Sequence, residues 1–214
     1  MKIPRTESRA FTLIEVLIVV AVLVTLAVAF LPAALRRAQA RSSRLNCTNN
    51  LKQNGLAFTT WAIDNHDRYP MGVSIANGGA MEAAITNLPL IFQVMSNELS
   101  TPKTLVCPAD TMRTYATNFL SLASKNISYF AGLDATETNP ACILAGDCNI
   151  TNGMGVRAGI LYAATNDPAR WTPAPHKGSG NILFADGSVQ QLATVRLREA
   201  IATTGFPTNR LLMP

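Results

Sequence analysis

The pattern of apolar and polar positions begins with a long apolar run between Phe11 and Leu31. Within that run only Thr12, Glu15 and Thr25 are polar. A helix rises ~1.5 Å per residue, so a run of about 21 residues is long enough to cross a hydrocarbon layer of about 30 Å. The pattern therefore predicts a transmembrane helix over residues 11–31.

After the apolar run, apolar and small residues recur three or four positions apart, as on one face of a helix: Cys47, Leu51, Gly55, Phe58 and Ala62. This spacing predicts an amphipathic continuation of the helix over residues 32–67, with one face on a soluble core. Pro32 lacks a backbone donor and clashes with the preceding turn, so we expect a kink there. Pro70 restricts the residue before it and ends the helix near 65–67.

The remaining residues, 68–214, alternate short apolar segments with turns, which is typical of a small α+β domain. Composition favours strands over 105–107, 127–132, 143–144 and 160–162, and helices over 90–99 and 194–202. The clearest signal is Asp186-Gly187, which separates two apolar-rich runs. This dipeptide favours a two-residue type I′ turn, so residues 181–192 are predicted to form an antiparallel hairpin.

Glu15 is the unexpected residue, because a carboxylate within a membrane segment costs ~2.5–3.5 kcal/mol on insertion scales. The apolar run opens with FTLIEVLIVV and follows the short basic stretch MKIPRTESRA. Together these segments resemble the N-terminal signature of type IV pilins and type II secretion pseudopilins. The resemblance implies that a prepilin peptidase cuts between Ala10 and Phe11 and methylates the new amine. It further implies that Glu15 meets the Phe11 amine of a neighbouring subunit during filament assembly. The family usually has Gly where this chain has Ala10.

Three other interpretations of the N-terminus stay open. A signal peptide would be cut after the small-residue triplet Ala27-Val28-Ala29, and a plain anchor would not be cut at all. Glu15 could also lie shallow enough to reach the headgroups. Basic residues occur on both sides of the apolar run, so the positive-inside rule does not decide the orientation. A cytoplasmic N-terminus therefore rests on the resemblance of the leader and on the cysteine content considered below.

A second resemblance extends over most of the chain. It concerns a pilin-like family named after a C-terminal His-x9-Asp-Gly motif, whose members often carry a Cys-x-x-Asn-Leu-Lys-Gln helix and a Cys-Pro-x-Asp segment. The matching residues here are Cys47 with Asn50-Leu51-Lys52-Gln53, Cys107-Pro108 with Asp110, and His176 with Asp186-Gly187. This resemblance implies a pilin-like fold and says little about a biochemical role.

Charge and cysteine content add two expectations. Of the formal net charge of +5, the leader accounts for +2 through Lys2, Arg5 and Arg9 against Glu7. The arginines over 36–44 are read as a solvated basic collar, and no nucleic acid is expected as a partner. Four cysteines indicate a compartment that permits disulfides.

None of the four cysteines forms a Cys-x-x-Cys pair, which disfavours a zinc ribbon or a thioredoxin-like site. The spacing of Cys142 and Cys148 across a turn-like Leu-Ala-Gly-Asp suggests a local bridge. All three possible pairings of the four cysteines remain open from the sequence.

No catalytic residue is predicted. His176 and Asp186 could form half of a catalytic group, but a turn is enough to explain Asp186 with Gly187, and His176 is expected to be a packed loop residue. No Gly-x-Ser-x-Gly, His-Glu-x-x-His or P-loop motif is present. No metal is predicted, although the major pseudopilins of type II secretion hold Ca²⁺ in a C-terminal loop. Asp147, Asp167 and Asp186 are the carboxylates that could do so here.

These observations predict a leader over 1–10, a membrane segment over 11–31, a helical continuation over 32–67 and a periplasmic domain over 68–214. The predicted function is that of a structural subunit of a type II secretion or type IV pilus filament in the bacterial inner membrane. Its expected partners are a prepilin peptidase and other pilin or pseudopilin subunits. One alternative is a pilin-like binding module for DNA uptake or surface adhesion. Another is an anchored hydrolase, which would need a buried His–carboxylate pair in a cleft.

Overall fold

The computed structural model describes residues 12–214, and the predicted leader and Phe11 lie outside this range. Its first element is a helix of 52 residues, α1 (Leu13–Asp64). The described chain divides into two compact units, residues 12–42 and residues 43–214. The division falls within α1, so the second part of this helix belongs to the larger unit.

The first unit is the apolar half of α1. Its large apolar side chains, from Leu13 to Leu35, are exposed, and the helix is long and apolar enough to cross a membrane. Pro32 lies inside the helix, and helical structure continues on both sides of it. The kink expected at Pro32 stays a prediction.

In the second unit, the amphipathic half of α1 buries the predicted face, with Cys47, Leu51, Phe58 and Ala62 fully inside the core. The helix ends at Asp64, one residue before the predicted range. His66 adopts a positive φ of 61°, and the Asp67 amide donates to the Ala62 carbonyl at 3.0 Å. This is the hydrogen bond of a Schellman-type helix end, which supplies a partner for an otherwise unpaired carbonyl.

Besides four short 3-10 helices, α1 is followed by three further α-helices and eight strands: α2 (Leu88–Gln93), α3 (Ser96–Leu99), β1 (Tyr129–Gly132), β2 (Ile143–Asp147), β3 (Ile150–Thr151), β4 (Ile160–Ala164), β5 (Arg170–Trp171), β6 (Ser179–Phe184), β7 (Val189–Ala193), α4 (Thr194–Thr203) and β8 (Thr208–Leu212). Six strands form an antiparallel sheet in the order β4-β8-β1-β2-β6-β7. The short strands β3 and β5 pair separately. The α+β class and the antiparallel sheet are as predicted.

Both faces of the six-stranded sheet are covered by a core. Successive side chains of a strand point to opposite faces, so neighbouring residues of β6 show which core lies on each face. Leu183 belongs to the core that includes α1, whereas the neighbouring Ile182 belongs to the core that includes α4. Gly55 of α1 lies so close to β6 that an added Cβ would be 2.7 Å from the Leu183 Cδ1 atom. A glycine at this position therefore permits the close approach of α1 to the sheet.

Two short predicted elements differ from the structure. Residues 102–105, at the predicted strand over 105–107, form a 3-10 turn, because the Thr101 side chain caps it and Pro102 occupies its first position. The predicted helix over 90–99 is divided into α2 and α3. The predictions of strands β1, β2 and β4 and of helix α4 agree with the structure in type and position.

The predicted hairpin is present between β6 and β7, with Leu183 opposite Val189. Its turn is not of the predicted type. The Phe184 amide donates to the Ser188 carbonyl at 2.9 Å, which leaves a loop of three residues rather than two. A type I′ turn needs positive φ at both central residues, but of Asp186 and Gly187 only the glycine has it, at 79°. The loop thus belongs to the three-residue class that ends with a left-handed glycine.

We predict that Gly187→Val lowers the free energy of unfolding by ~1 kcal/mol or more, because a β-branched residue is strained at positive φ. Nothing lies within 4 Å of a Cβ added at Gly187, so the loss would come from the backbone alone. Chemical denaturation of the full chain in detergent measures it. Gly187→Asn is the matched control, since asparagine tolerates this conformation and should lose less. Equal losses for both variants would contradict the explanation.

Candidate functional site

Glu15 lies in the first turn of α1 and interacts with the residue that caps the helix. Its Oε2 atom accepts hydrogen bonds from the Thr12 amide and the Thr12 hydroxyl, both at 2.8 Å. In return, the Glu15 amide donates to the Thr12 hydroxyl oxygen at 3.4 Å. This reciprocal arrangement is a capping box, whose Thr-x-x-Glu signature is visible in the sequence but was not part of the sequence interpretation.

The capping box matters because the first amides of a helix have no partner within the helix. In a hydrocarbon layer water cannot replace such a partner. Glu15 therefore has a local structural role in addition to its charge. The predicted cleavage residues Ala10 and Phe11 lie outside the described residues, so a contact between the Phe11 amine and Glu15 stays a prediction.

A second candidate site is a group of five buried residues in the larger unit, which we call the buried cluster: Cys47, Cys107, Asp147, His176 and Asn181. Cys47 of α1 and Cys107 form a disulfide bond across a sequence separation of 60 residues. The bond joins the long helix to the segment that precedes β1. Sequence reasoning left this pairing open and favoured another one.

The expected bridge between Cys142 and Cys148 is wrong, since both are free thiols. The intervening residues are β2, not a turn. An extended strand rises ~3.3 Å per residue, so six steps separate the two Cα atoms by about 20 Å. A disulfide requires a Cα separation of about 4.4–6.8 Å.

His176 lies against both the disulfide and a carboxylate. Its Nε2 atom is 3.3 Å from the Cys107 sulfur and 3.4 Å from Asp147 Oδ2. Its backbone carbonyl accepts hydrogen bonds from Arg44 Nη2 at 3.1 Å and from the Ser179 hydroxyl at 2.8 Å. These contacts hold the loop that precedes β6 against the start of the amphipathic helix.

Asp147 ends β2 and is connected to α1 through β6. Its Oδ2 atom accepts hydrogen bonds from the Asn181 amide at 2.7 Å and from the Asn181 side chain at 2.9 Å. The Asn181 side-chain oxygen in turn accepts from the Thr48 hydroxyl at 3.2 Å. Among the described residues, neither Asp147 Oδ1 nor His176 Nδ1 has a hydrogen-bond partner.

The ionisation of the His–Asp pair is set by its removal from water. Burial raises the pKa of Asp147 to about 7, although its two hydrogen bonds from Asn181 act in the opposite direction. Burial also lowers the pKa of His176, and the nearby Arg44 guanidinium lowers it further. Both shifts favour the uncharged forms, as expected for groups in a medium of low dielectric constant.

The structure pairs His176 with Asp147 and not with Asp186, the carboxylate considered from the sequence. Asp186 lies in the hairpin loop beyond the far end of β6, where its side chain accepts a hydrogen bond from the Ser188 amide at 2.8 Å. The buried His–carboxylate pair that a hydrolase would need is present. However, His176 is only 1% exposed and Asp147 only 2%, so residues 12–214 close both side chains off from solvent.

Among the described residues, three members of the buried cluster lie close enough together to bind one metal ion. Three donor atoms lie within 4.8 Å of one another, from Cys47, Cys107 and His176. None of the three aspartates considered for Ca²⁺ belongs to this group. Asp167 accepts a hydrogen bond from the Ala164 amide at 3.0 Å. Sulfur and imidazole donors suit softer cations than Ca²⁺, which prefers oxygen ligands.

We predict that Cys47→Ser lowers the free energy of unfolding by about 4 kcal/mol, the entropy of closing a loop of this length in the unfolded chain. Guanidinium denaturation of the full chain in detergent, without reductant, measures the loss. Cys148→Ser is the matched control, because that half-buried thiol forms no bond, and we expect a much smaller change. Wild-type stability for Cys47→Ser would contradict the pairing.

The comparisons with known proteins bear on the N-terminal part of the chain. Neither the comparison with curated proteins nor that with solved structures gives a match. Residues 5–31 match the family model described as the prokaryotic N-terminal methylation motif. This match includes Ala10, Phe11 and Glu15, and it is followed by the long apolar helix and the antiparallel sheet domain described above. The chain therefore carries a prepilin-type N-terminal methylation motif, consistent with a type IV pilin-like or pseudopilin-like protein.

Proposed function

We propose that this protein is a structural subunit of a type II secretion or type IV pilus-like filament. A prepilin peptidase removes residues 1–10, and the mature helix anchors the subunit in the inner membrane of a bacterium. Its N-terminus is cytoplasmic and its sheet domain periplasmic. The observation that carries this proposal is the methylation motif over residues 5–31, with Glu15 inside an otherwise apolar segment.

The charge of Glu15 supports assembly rather than simple anchoring. The capping box satisfies backbone donors but leaves a carboxylate charge in the apolar segment. Both hydrogen bonds from Thr12 use the same oxygen, Oε2, and within residues 12–214 no donor contacts Oε1, which leaves it for an additional donor. The Phe11 amine of a neighbouring subunit would pair with that charge, and two buried charges cost less together than apart.

The larger unit supports a relation to the His-x9-Asp-Gly family. Cysteines from the first two motifs form the disulfide, and the histidine of the third contacts one of their sulfurs. The Asp-Gly part of that motif lies elsewhere, in the hairpin loop. The two cysteines and the histidine of the pattern thus have contacts that suit a structural role.

A binding function is the second candidate, and the basic collar is its only support. Arg44 is half-buried and donates to the His176 carbonyl, so it has a structural role. Arg36, Arg37 and Arg41 remain exposed. Three arginines beside a predicted membrane segment suit anionic headgroups as well as a nucleic acid. Filament assembly therefore remains the function that the chain supports best.

We predict that, with a prepilin peptidase co-expressed, the mature protein begins at a methylated Phe11. Intact-mass and N-terminal peptide spectrometry measures this. Ala10→Gly restores the residue that the family usually has before the cut, and it should be processed at least as completely. A mature N-terminus at Phe30, after the Ala27-Val28-Ala29 triplet, would instead show a secreted protein with a cleaved signal peptide.

The second prediction separates the two roles of Glu15. Glu15→Gln keeps a side-chain acceptor at the capping position but removes the charge. Glu15→Leu removes both, and it makes the segment more apolar. We expect both variants to be cleaved normally, to keep the wild-type melting temperature of the larger unit, and to be incorporated into filaments at least about tenfold less.

Cross-linking of membranes and pull-down of filaments measure the incorporation. A plain anchor should tolerate Glu15→Leu or prefer it. Wild-type incorporation of Glu15→Gln with loss for Glu15→Leu would show that capping, and not charge, is what assembly needs. Wild-type incorporation of both variants would reject the role of Glu15 in assembly and leave a membrane-tethered domain.

A further inference from the structure

The buried cluster has a property that a purely structural disulfide does not require. Cys47 and Cys107 would need only apolar neighbours to hold α1 in place. Instead, an imidazole nitrogen lies 3.3 Å from the Cys107 sulfur, and a carboxylate oxygen lies 3.4 Å from the same nitrogen. All three side chains are buried, so these polar atoms are kept away from water at a cost in free energy.

We propose that the buried cluster is a redox-controlled binding site for a thiophilic divalent cation such as Zn²⁺. In the reduced chain the ion is held by the sulfurs of Cys47 and Cys107 and by Nε2 of His176. In the oxidised chain the disulfide occupies both sulfurs and the site is closed. This proposal is independent of filament assembly, because it concerns only residues within the larger unit.

The distances favour such a site. Tetrahedral Zn²⁺ has bonds of about 2.3 Å to sulfur and about 2.0–2.1 Å to nitrogen, which place neighbouring donor atoms about 3.5–3.8 Å apart. The three donor atoms already lie within 4.8 Å of one another. The main change needed is separation of the two sulfurs after the bond between them breaks, and rotation about their side-chain torsions supplies it.

The charges also favour a divalent ion. Two thiolates and one Zn²⁺ form a neutral group, so the buried site would gain no net charge from them. The Asp147 carboxylate lies on the Nε2 side of the imidazole and is held there by two hydrogen bonds from Asn181. Its Oδ2 atom lies 3.4 Å from His176 Nε2, so it is a candidate donor for the open coordination position, and a bound cation would favour its ionised form.

The chemistry balances with a named reductant. A dithiol supplies two electrons and two protons, becomes a disulfide itself, and leaves Cys47 and Cys107 as thiols. A phosphine does the same in the laboratory, because water provides the two protons and the oxygen of the phosphine oxide. Binding of Zn²⁺ then displaces both thiol protons to the solvent, and the thiolates act as ligands.

The other two cysteines offer an internal control. Cys142 and Cys148 lie at opposite ends of β2, too far apart to bind one ion together. Burial raises the pKa of the Cys148 thiol to about 11 and also raises that of Cys142, which keeps both protonated. The other histidine, His66, is exposed just after the end of α1 and supplies a matched control for His176.

The test is a titration of the full chain in detergent with Co²⁺, a spectroscopic substitute for Zn²⁺, under argon. After phosphine reduction and desalting, we expect about one equivalent of Co²⁺ to bind with sulfur-to-cobalt charge-transfer absorption. The oxidised chain should show none. His176→Ala should raise the dissociation constant at least about tenfold, whereas His66→Ala and the Cys142→Ser/Cys148→Ser double variant should leave it unchanged.

A second measurement uses thermal stability instead of charge-transfer absorption. The folded, reduced chain holds the three ligands together and should bind Zn²⁺ more tightly than the unfolded chain does. Zn²⁺ should therefore raise the melting temperature of the reduced protein and leave that of the oxidised protein unchanged. The proposal is overturned if the reduced chain binds no more Co²⁺ than the oxidised chain. It is equally overturned if the double variant loses the absorption, since the other two thiols would then hold the ion.

Discussion

The larger unit depends on one constraint, which is that a single face of the amphipathic part of α1 must be buried against the sheet. The spacing of the apolar residues selects that face, and Gly55 removes the side chain that would otherwise hold α1 away from β6. The disulfide of Cys47 then joins the same face to a segment 60 residues away. A rotation of α1 about its axis by about 90° would turn Gly55 away from β6 and Cys47 away from Cys107.

The two halves of α1 use polar side chains in different ways. At its start, Thr12 and Glu15 supply partners for amides that lipid could not satisfy. In its second half, Thr48 and Asn181 connect the helix to the end of β2 by hydrogen bonds. A helix that passes from a lipid-like to a protein-like environment needs both solutions, and the chain provides them with short polar side chains close to the backbone.

Local features of the fold could be predicted from the sequence, and long-range ones could not. The apolar run, the helical spacing that includes Leu51 and Phe58, and the Asp186-Gly187 turn are local signals, and each corresponds to an observed element. Strand β8 was not predicted, because Asn209 has a low strand propensity and only Leu211 and Leu212 give an apolar signal. It pairs with β1 and β4, and Arg210 is held by Asp134 at 2.6 Å. Such partners are distant along the chain.

The cysteines illustrate the same limit at the candidate site. A separation of six residues made Cys142 and Cys148 look like a local pair, but that inference required a turn where the chain forms a strand. The true partners are determined by where α1 lies on the sheet, which no local pattern contains. His176 was expected to be a packed loop residue, and its burial agrees with that. The sequence does not show that its neighbours are a sulfur and a carboxylate. Because of these two neighbours, the packed histidine is also a candidate metal ligand.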